Sequence, residues 1–173
     1  MRDNSYELFP MLDGKGRFIG TLSRGHAHDG SRLLHPVVHL HVFDNEGRLY
    51  LQKRPEWKDV QPGKWDTACG GHVALGEPIA EALRREVSEE LGITDYTPEH
   101  VADYIYDSQR EREMVHIYRC TYNGPIHPSH DELDGGRYWS IAEIEESMGK
   151  GILTPNLESE LATYILPLLH THR

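Results

Sequence analysis

Two cysteines, Cys69 and Cys120, are too few for a disulfide scaffold and form no metal-binding pair, which suits a reducing compartment. No run approaches the roughly 18 apolar residues of a membrane span. The start, Met1 to Ser5, lacks the apolar stretch of a signal peptide, so a cytoplasmic location with no membrane partner is expected. Basic residues are the minority: 18 Lys and Arg against 28 Asp and Glu leave a net charge of −10, which argues against a nucleic acid polymer as partner. Internal repeats and low-complexity linkers are missing, and 173 residues suffice for one sizeable core but not for two ordinary domains. Residues 1–173 therefore read as a single domain, with a core over about 35–168 and an N-terminal hairpin and His-rich loop over 5–34.

What the chain has is a concentration of acid. Glu86, Glu89 and Glu90 follow Glu77 and Pro78 and precede Gly92. Pro78 suits a first helical turn and Gly92 a C-terminal stop, while Leu83, Val87 and Leu91, with Ala80 nearby, form an apolar stripe. The three glutamates are expected to project from the other side, with Arg85 tying back to Glu77 or Glu89. Carboxylates this close repel one another unless a cation sits among them, and a hard divalent ion such as Mg²⁺ prefers oxygen ligands. Gly70, Gly71 and Gly76 let the incoming loop approach a ligand closely.

The window Gly71 to Ile93 resembles the Nudix hydrolase signature at every fixed place: Gly71, Glu77, Arg85, Glu86, Val87, Glu89, Glu90, Gly92 and Ile93. The resemblance implies an α/β class fold, an α/β/α sandwich with a mixed central sheet and a loop-helix-loop catalytic box. It also implies Mg²⁺ or Mn²⁺ held by Glu86, Glu89 and Glu90, with Arg85 orienting the acids. The implied activity is pyrophosphohydrolysis of a nucleoside diphosphate linked to another moiety, or of a related small-molecule diphosphate.

A narrower resemblance rests on His35, residues 37–54, Lys58, Asp59, residues 62–66, Gly71, His72, residues 134–140 and residues 154–157. These are similar to the Nudix branch related to type 1 isopentenyl-diphosphate isomerase. That likeness implies a second divalent metal, such as Zn²⁺ or Mn²⁺, at His28, His35, His72, Glu111 and Glu113. The isomerases use a cysteine directly before the Gly71, His72 pair, where this chain has Gly70. Cys69 lies one residue earlier, which on an extended strand turns its side chain to the opposite face unless Gly70 and Gly71 form a bulge. Hydrolysis is therefore the leading expectation, with isomerase and non-catalytic nucleotide binding as alternatives. A homodimer is a candidate assembly.

Glu90 is the first choice as proton acceptor and Glu113 the second. Arg54 and Lys64 are candidates for the substrate phosphates, with the backbone of Gly70 and Gly71. Trp57, Trp65, Tyr104 and Tyr106 are candidates to contact the rest of the substrate, and residues 123–128 and 130–136 to form a pocket wall. His39 and His41 alternate on an expected strand and read as half-buried.

Strands are expected over residues 6–12, 18–22, 37–43, 48–53, 101–107 and 114–122, with a polar loop over 23–34 and a long loop over 124–136. Tyr138 and Trp139 should return to the sheet. Helices are expected over 141–148 and 157–169, the latter started by Pro155 and Asn156 and shortened by Pro167.

Overall fold

A computed structural model describes residues 6–58, 60–128 and 135–170. The organising element is β3 (Leu34–Phe43), whose ten residues are all buried. Its alternation divides the interior in two, because successive strand side chains point to opposite faces. Val38, Leu40 and Val42 face the core packed by helix α2 (Ile79–Leu91). Val37 and Phe43 face a second core with Ile144 of α3 (Ile141–Ser147), Leu157 of α4 (Pro155–Glu160) and Leu161. The result is the expected sandwich, with helices on both faces of one sheet.

That sheet is mixed. β3 runs parallel to β8 (Arg112–Thr121) along its whole length, and β8 pairs antiparallel with β7 (Glu99–Asp107). On its other side β3 pairs antiparallel with β6 (Cys69–His72). β4 (Leu49–Lys53) touches β3 only at Phe43 and Leu49, then diverges to pair with β5 (Trp65–Thr67) and β9 (Gly136–Trp139). The sheet thus forks where β4 departs and β6 takes its place. The expected β3 and β4 hairpin is real at its turn, but β6 replaces β4 over the strand's interior.

The N-terminal hairpin, β1 (Leu8–Leu12) and β2 (Phe18–Ser23), forms a separate two-stranded sheet. The expected loop after it contains a short helix, α1 (Arg24–Ala27), capped by the Ser23 hydroxyl, which accepts from the His26 N–H. β3 begins at Leu34, earlier than residue 37, because β8 supplies pairing partners from Arg112 onward.

Helix α2 keeps the expected limits, with Pro78 as N-cap and Gly92 left-handed at φ 67° as C-cap. Leu83, Val87 and Leu91 are buried as expected, but Ala82 completes the stripe and Ala80 is exposed in the first turn. Two of the acids also depart from expectation. Glu86 and Glu90 continue the row that starts at Ala82, so they face β6 instead of projecting away from the sheet. Gly71 makes room: a Cβ there would lie 2.2 Å from Cδ of Glu86.

The last helical stretch continues to His170 through Pro167, which does not shorten it. A π turn over Leu161–Ile165 precedes the proline, with the Leu166 N–H bonded to the Leu161 carbonyl. This wider turn redistributes the backbone hydrogen bonds just before the residue that has no N–H. Residues 130–134, part of the expected pocket wall, lie outside the described residues. Residues 123–128 pass over the end of α2, where the His127 N–H bonds to the Leu91 carbonyl at 2.8 Å.

One charged group sits inside the second core. Glu160 is 1% exposed, and its carboxylate meets His39 Nδ1 at 2.9 Å, His41 Nε2 at 2.5 Å and the Tyr104 hydroxyl at 2.5 Å. His39 and His41 are buried, not half-buried, because they share the β3 face of Val37 and Phe43. Burial works against charge on His39, but the Glu160 carboxylate outweighs it and lifts the pKa from 6.5 to about 9. Glu113 and Asp66 act in the same direction. Glu160 is correspondingly held far below the usual carboxylate range by the two imidazoles, despite its burial.

Two predictions follow from this packing. In Gly71→Ala the collision is with the end of a flexible side chain, so the fold should survive with a loss of about 1 kcal/mol in urea unfolding. A crystal structure of the variant should show the Glu86 carboxylate displaced from Arg85. Because the His39 pKa is raised on folding, its pairing with Glu160 stabilises fully below about pH 6.5 and is lost as pH rises through about 9. The thermal midpoint should fall between about pH 7 and about pH 9.5, and His39→Asn should flatten that fall.

Candidate functional site

At the fork of the sheet lies a cleft of about 270 Å³. It is reached by Glu90 from α2, Gly70, Gly71 and His72 from β6, His39 from β3, Glu113 from β8, and Asp66 and Thr67 from β5. Arg54, Lys58, Gln52 and Asn156 complete the polar part of its wall. Of the residues expected from sequence, Glu90, Glu113, His72, Arg54, Gly70 and Gly71 meet here. Lys64 does not line the cleft; its carbonyl accepts the Arg54 N–H at 2.8 Å, and Lys58 is the lysine that does.

The box acids are organised by Arg85. Its guanidinium donates to both Glu77 oxygens at 2.8 and 2.9 Å, to Glu86 Oε1 at 2.8 Å and to the His72 carbonyl at 3.0 Å. A planar fork serving several acceptors at once is a task for arginine and not for lysine. Its contact with Glu89 is longer, at 3.5 Å, and Glu89 is exposed. Glu77 in turn accepts the Ala74 N–H at 3.0 Å, and the arginine holds its carboxyl below the usual range. Glu90 Oε2 accepts the Gly70 N–H at 3.3 Å.

Beside the cleft, the side chains of His28, His35, His72, Glu111 and Glu113 lie in two overlapping groups. Ligand atoms of His28, His35 and His72 lie within 4.8 Å of one another, as do those of His35, Glu111 and Glu113. His28 Nε2 stands 3.1 Å from His72 Nε2 and 3.2 Å from Glu111 Oε2. The His35 Nδ1–H donates to the Leu33 carbonyl at 2.9 Å, a contact that fixes the Nδ1 hydrogen and turns the Nε2 lone pair inward. That buried Nε2 has no hydrogen-bond partner among the described residues. Glu113 Oε2 is 3.8 Å from it and 3.9 Å from His72 Nε2.

Charge in this cluster runs toward neutral imidazoles. Burial pushes His72 well below its usual range, lowers His35, and takes His28 down to about 4, with Arg24 and the neighbouring histidines adding to the effect on His28 and His72. Burial and the adjacent Glu111 lift Glu113 to about 8. Neutral imidazoles with converging lone pairs and two carboxyls form a donor set for a divalent transition metal.

The hairpin closes the cluster. Phe9 stacks on His72 with ring centroids 4.6 Å apart and planes 4° apart, and lies 5.8 Å from His35. α1 leads directly into His28. Among the aromatic candidates, Trp65 packs edge-on against Trp139 beside the second core, and Tyr104 is committed to Glu160. Trp57 is exposed, with the Lys58 ammonium 5.0 Å from its ring centre.

Cys69 points where the alternation rule put it. The β3 and β6 register is uninterrupted from Val37 opposite His72 to Leu40 opposite Cys69, so no bulge reverses the glycines. Cys69 lies in the α2 core with Leu40, and burial followed by the Glu90 carboxylate pushes its thiol pKa well up. Gly70 faces the other way, toward His39: a Cβ at that position would be 3.2 Å from His39 Cδ2. Sequence reading gave no site role to His39, Glu160 or Lys58. The alternation of His39 with His41 was the one available signal, since nothing local marks their partner 119 to 121 positions away.

The NUDIX domain family profile matches residues 33–157. A protein of Mycolicibacterium vanbaalenii named isopentenyl-diphosphate Delta-isomerase is 36% identical over 134 residues, covering 73% of this chain and 74% of the relative. One of the same name from Clavibacter sepedonicus is 32% identical over 170 residues, covering 95% and 88%. A Pseudomonas aeruginosa protein named as an uncharacterised Nudix hydrolase is 30% identical over 132 residues, covering 76% and 78%. In fold, the chain is similar to a Deinococcus radiodurans crystal structure, with a TM-score of 0.79 at 18% identity over 90% of this chain and 98% of that one. It is also similar to the MutT protein of Methanosarcina mazei, with a TM-score of 0.66 at 20% identity over 83% and 99%. The matched profile, together with relatives named both as hydrolases and as isomerases, makes this chain a member of the Nudix family in the branch it shares with isopentenyl-diphosphate isomerases.

Proposed function

We propose that the chain is a divalent-metal-dependent pyrophosphohydrolase acting on a small-molecule diphosphate. The observation that carries this reading is the convergence of Glu90, the Gly70 and Gly71 backbone, Arg54 and Lys58 on one cleft. The residues present fit two metal sets. Glu86, Glu89 and Glu90 offer carboxylate oxygens that would hold Mg²⁺ or Mn²⁺, and Gly71 leaves the space that the Glu86 carboxyl fills. His28, His35, His72, Glu111 and Glu113 would hold Zn²⁺ or Mn²⁺, and the unpartnered His35 Nε2 supports that fit. Bound cations of this kind supply neutralisation of a diphosphate and a more acidic water.

The chain's own groups then divide the work. Arg54 and Lys58 receive negative charge from the phosphates, and the side-chain-free Gly70 and Gly71 allow close approach. Arg85 fixes Glu86 and Glu77. Glu90 takes up the proton of the attacking water; it is preferred to Glu113, whose carboxyl belongs to the imidazole cluster. A cavity of about 270 Å³ is small beside the roughly 300–1,000 Å³ of typical ligand sites, so the diphosphate and its immediate attachment are what it recognises.

Isomerase activity is the second reading, favoured by the assembled cluster of three imidazoles and two carboxyls and by the names of the relatives. Against it stands position 70, which has no thiol and little room for one, while Cys69 is turned into the core.

Glu90→Gln should keep its thermal midpoint and lose at least about 100-fold in kcat for phosphate release. The screen should cover nucleoside diphosphates, dinucleotides, nucleotide sugars and prenyl diphosphates with Mg²⁺ and Mn²⁺ compared. An unchanged kcat would reject Glu90 as proton acceptor. Deuterium uptake from D₂O into isopentenyl diphosphate would instead select the isomerase. For the second metal set, His72→Asn should strip a tightly held transition metal, measured by elemental analysis, and leave Mg²⁺ uptake at the box in place.

A further inference from the structure

The hydrolytic reading leaves unused the most deeply buried charge in the described protein, the Glu160 carboxylate. Its three partners come from β3 and β7: His39, His41 and Tyr104. The two histidines differ in what lies on their far side. His41 is completely buried, and its Nδ1 has no hydrogen-bond partner among the described residues. His39 lines the cleft together with Glu90, Arg54 and Lys58. Its Nδ1 is taken by Glu160, and its Cδ2 and Nε2 edge lies across Gly70, where a Cβ would be 3.2 Å and 3.5 Å from those atoms. Glycine at 70 is what lets the imidazole lie this close to the strand that also carries Gly71 and His72.

We propose that His39 is a substrate-contacting residue, its Nε2 edge donating to a phosphate oxygen in the cleft, and that Glu160 is the positioning residue that holds the ring for this contact. The inference rests on the reading of the cleft as a diphosphate site. It adds a fixed donor to a cleft whose other cations are less constrained. Arg54 shares its charge with Asp66 at 3.7 Å, and Lys58 lies over the exposed Trp57 ring. A long side chain must lose rotamer freedom to grip a phosphate, whereas the His39 ring is already held by a buried carboxylate. The Glu160 carboxylate also favours a hydrogen on both ring nitrogens, as Nε2 donation requires. The groups that face His39 with charge are Glu160 from α4, Glu113 from β8 and Asp66 from β5.

The test uses methylenediphosphonate, a diphosphate analogue that resists hydrolysis, with Mg²⁺ and the full chain. In protein labelled with ¹⁵N at histidine, titration should move the His39 Nε2 signal and leave the His41 signals in place. By calorimetry, His39→Asn should weaken binding at least about tenfold, in line with loss of a hydrogen bond to a charged group. His41→Asn disturbs the same carboxylate without touching the cleft and should weaken binding by a clearly smaller factor, compared at equal folded fraction by near-ultraviolet circular dichroism. Glu160→Gln should weaken binding and shift the His39 Nδ1 signal together. Equal losses in His39→Asn and His41→Asn, or a saturating isotherm with an unmoved His39 Nε2 signal, would overturn the inference while leaving the hydrolase reading intact. Failure of the wild-type protein to bind the analogue with either Mg²⁺ or Mn²⁺ would remove both.

Discussion

Close approach to a stretch of backbone without side chains is the constraint on which the site depends. Gly70 and Gly71 are consecutive residues of β6, so their missing side chains would point to opposite faces of the sheet. On one face Glu86 occupies the space above Gly71, and on the other the His39 ring occupies the space beside Gly70. An acidic helix and a histidine-bearing strand thereby reach the same short segment from two sides. Everything else in the cleft is arranged around that segment: Arg85 spans from the acids to the His72 carbonyl, and Glu90 accepts the Gly70 N–H.

The box helix was legible in sequence because its determinants are local. Pro78, Gly92 and the spacing of Leu83, Val87 and Leu91 define its limits and its buried side within a few turns of chain. What sequence could not resolve was which flank of the helix meets β6, since glutamates on a buried row contradict the usual polar and apolar division. The proximity of the five residues of the imidazole cluster was suggested by family likeness alone, because they converge from the end of α1, from β3, from β6 and from the start of β8. Glu160 was not legible at all. A glutamate in a helix of mixed character looks like a surface residue until β3 brings His39 and His41 beneath it. The same long-range cause hid the early start of β3, which depends on parallel pairing with β8 far along the chain.

Position 70 also gives the relation between the two chemistries of this branch a physical form. Side chains at 70 and 39 compete for one volume on one face of the sheet, as their opposed register requires. An imidazole at 39 with glycine at 70 is one solution to that packing problem, and a larger residue at 70 needs a smaller neighbour at 39. In this chain the pair leaves the His39 imidazole as the group presented on that face of the cleft.

Phe9 shows how the imidazole cluster and the box acids differ in their dependence on the chain. The acids of α2 and the glycines of β6 belong to the main sheet and its covering helix, whereas the ring that seals His72 belongs to a hairpin in a sheet of its own. Trimming the chain before β2 would strip the roof from the imidazoles and leave the acidic floor of the neighbouring cleft standing.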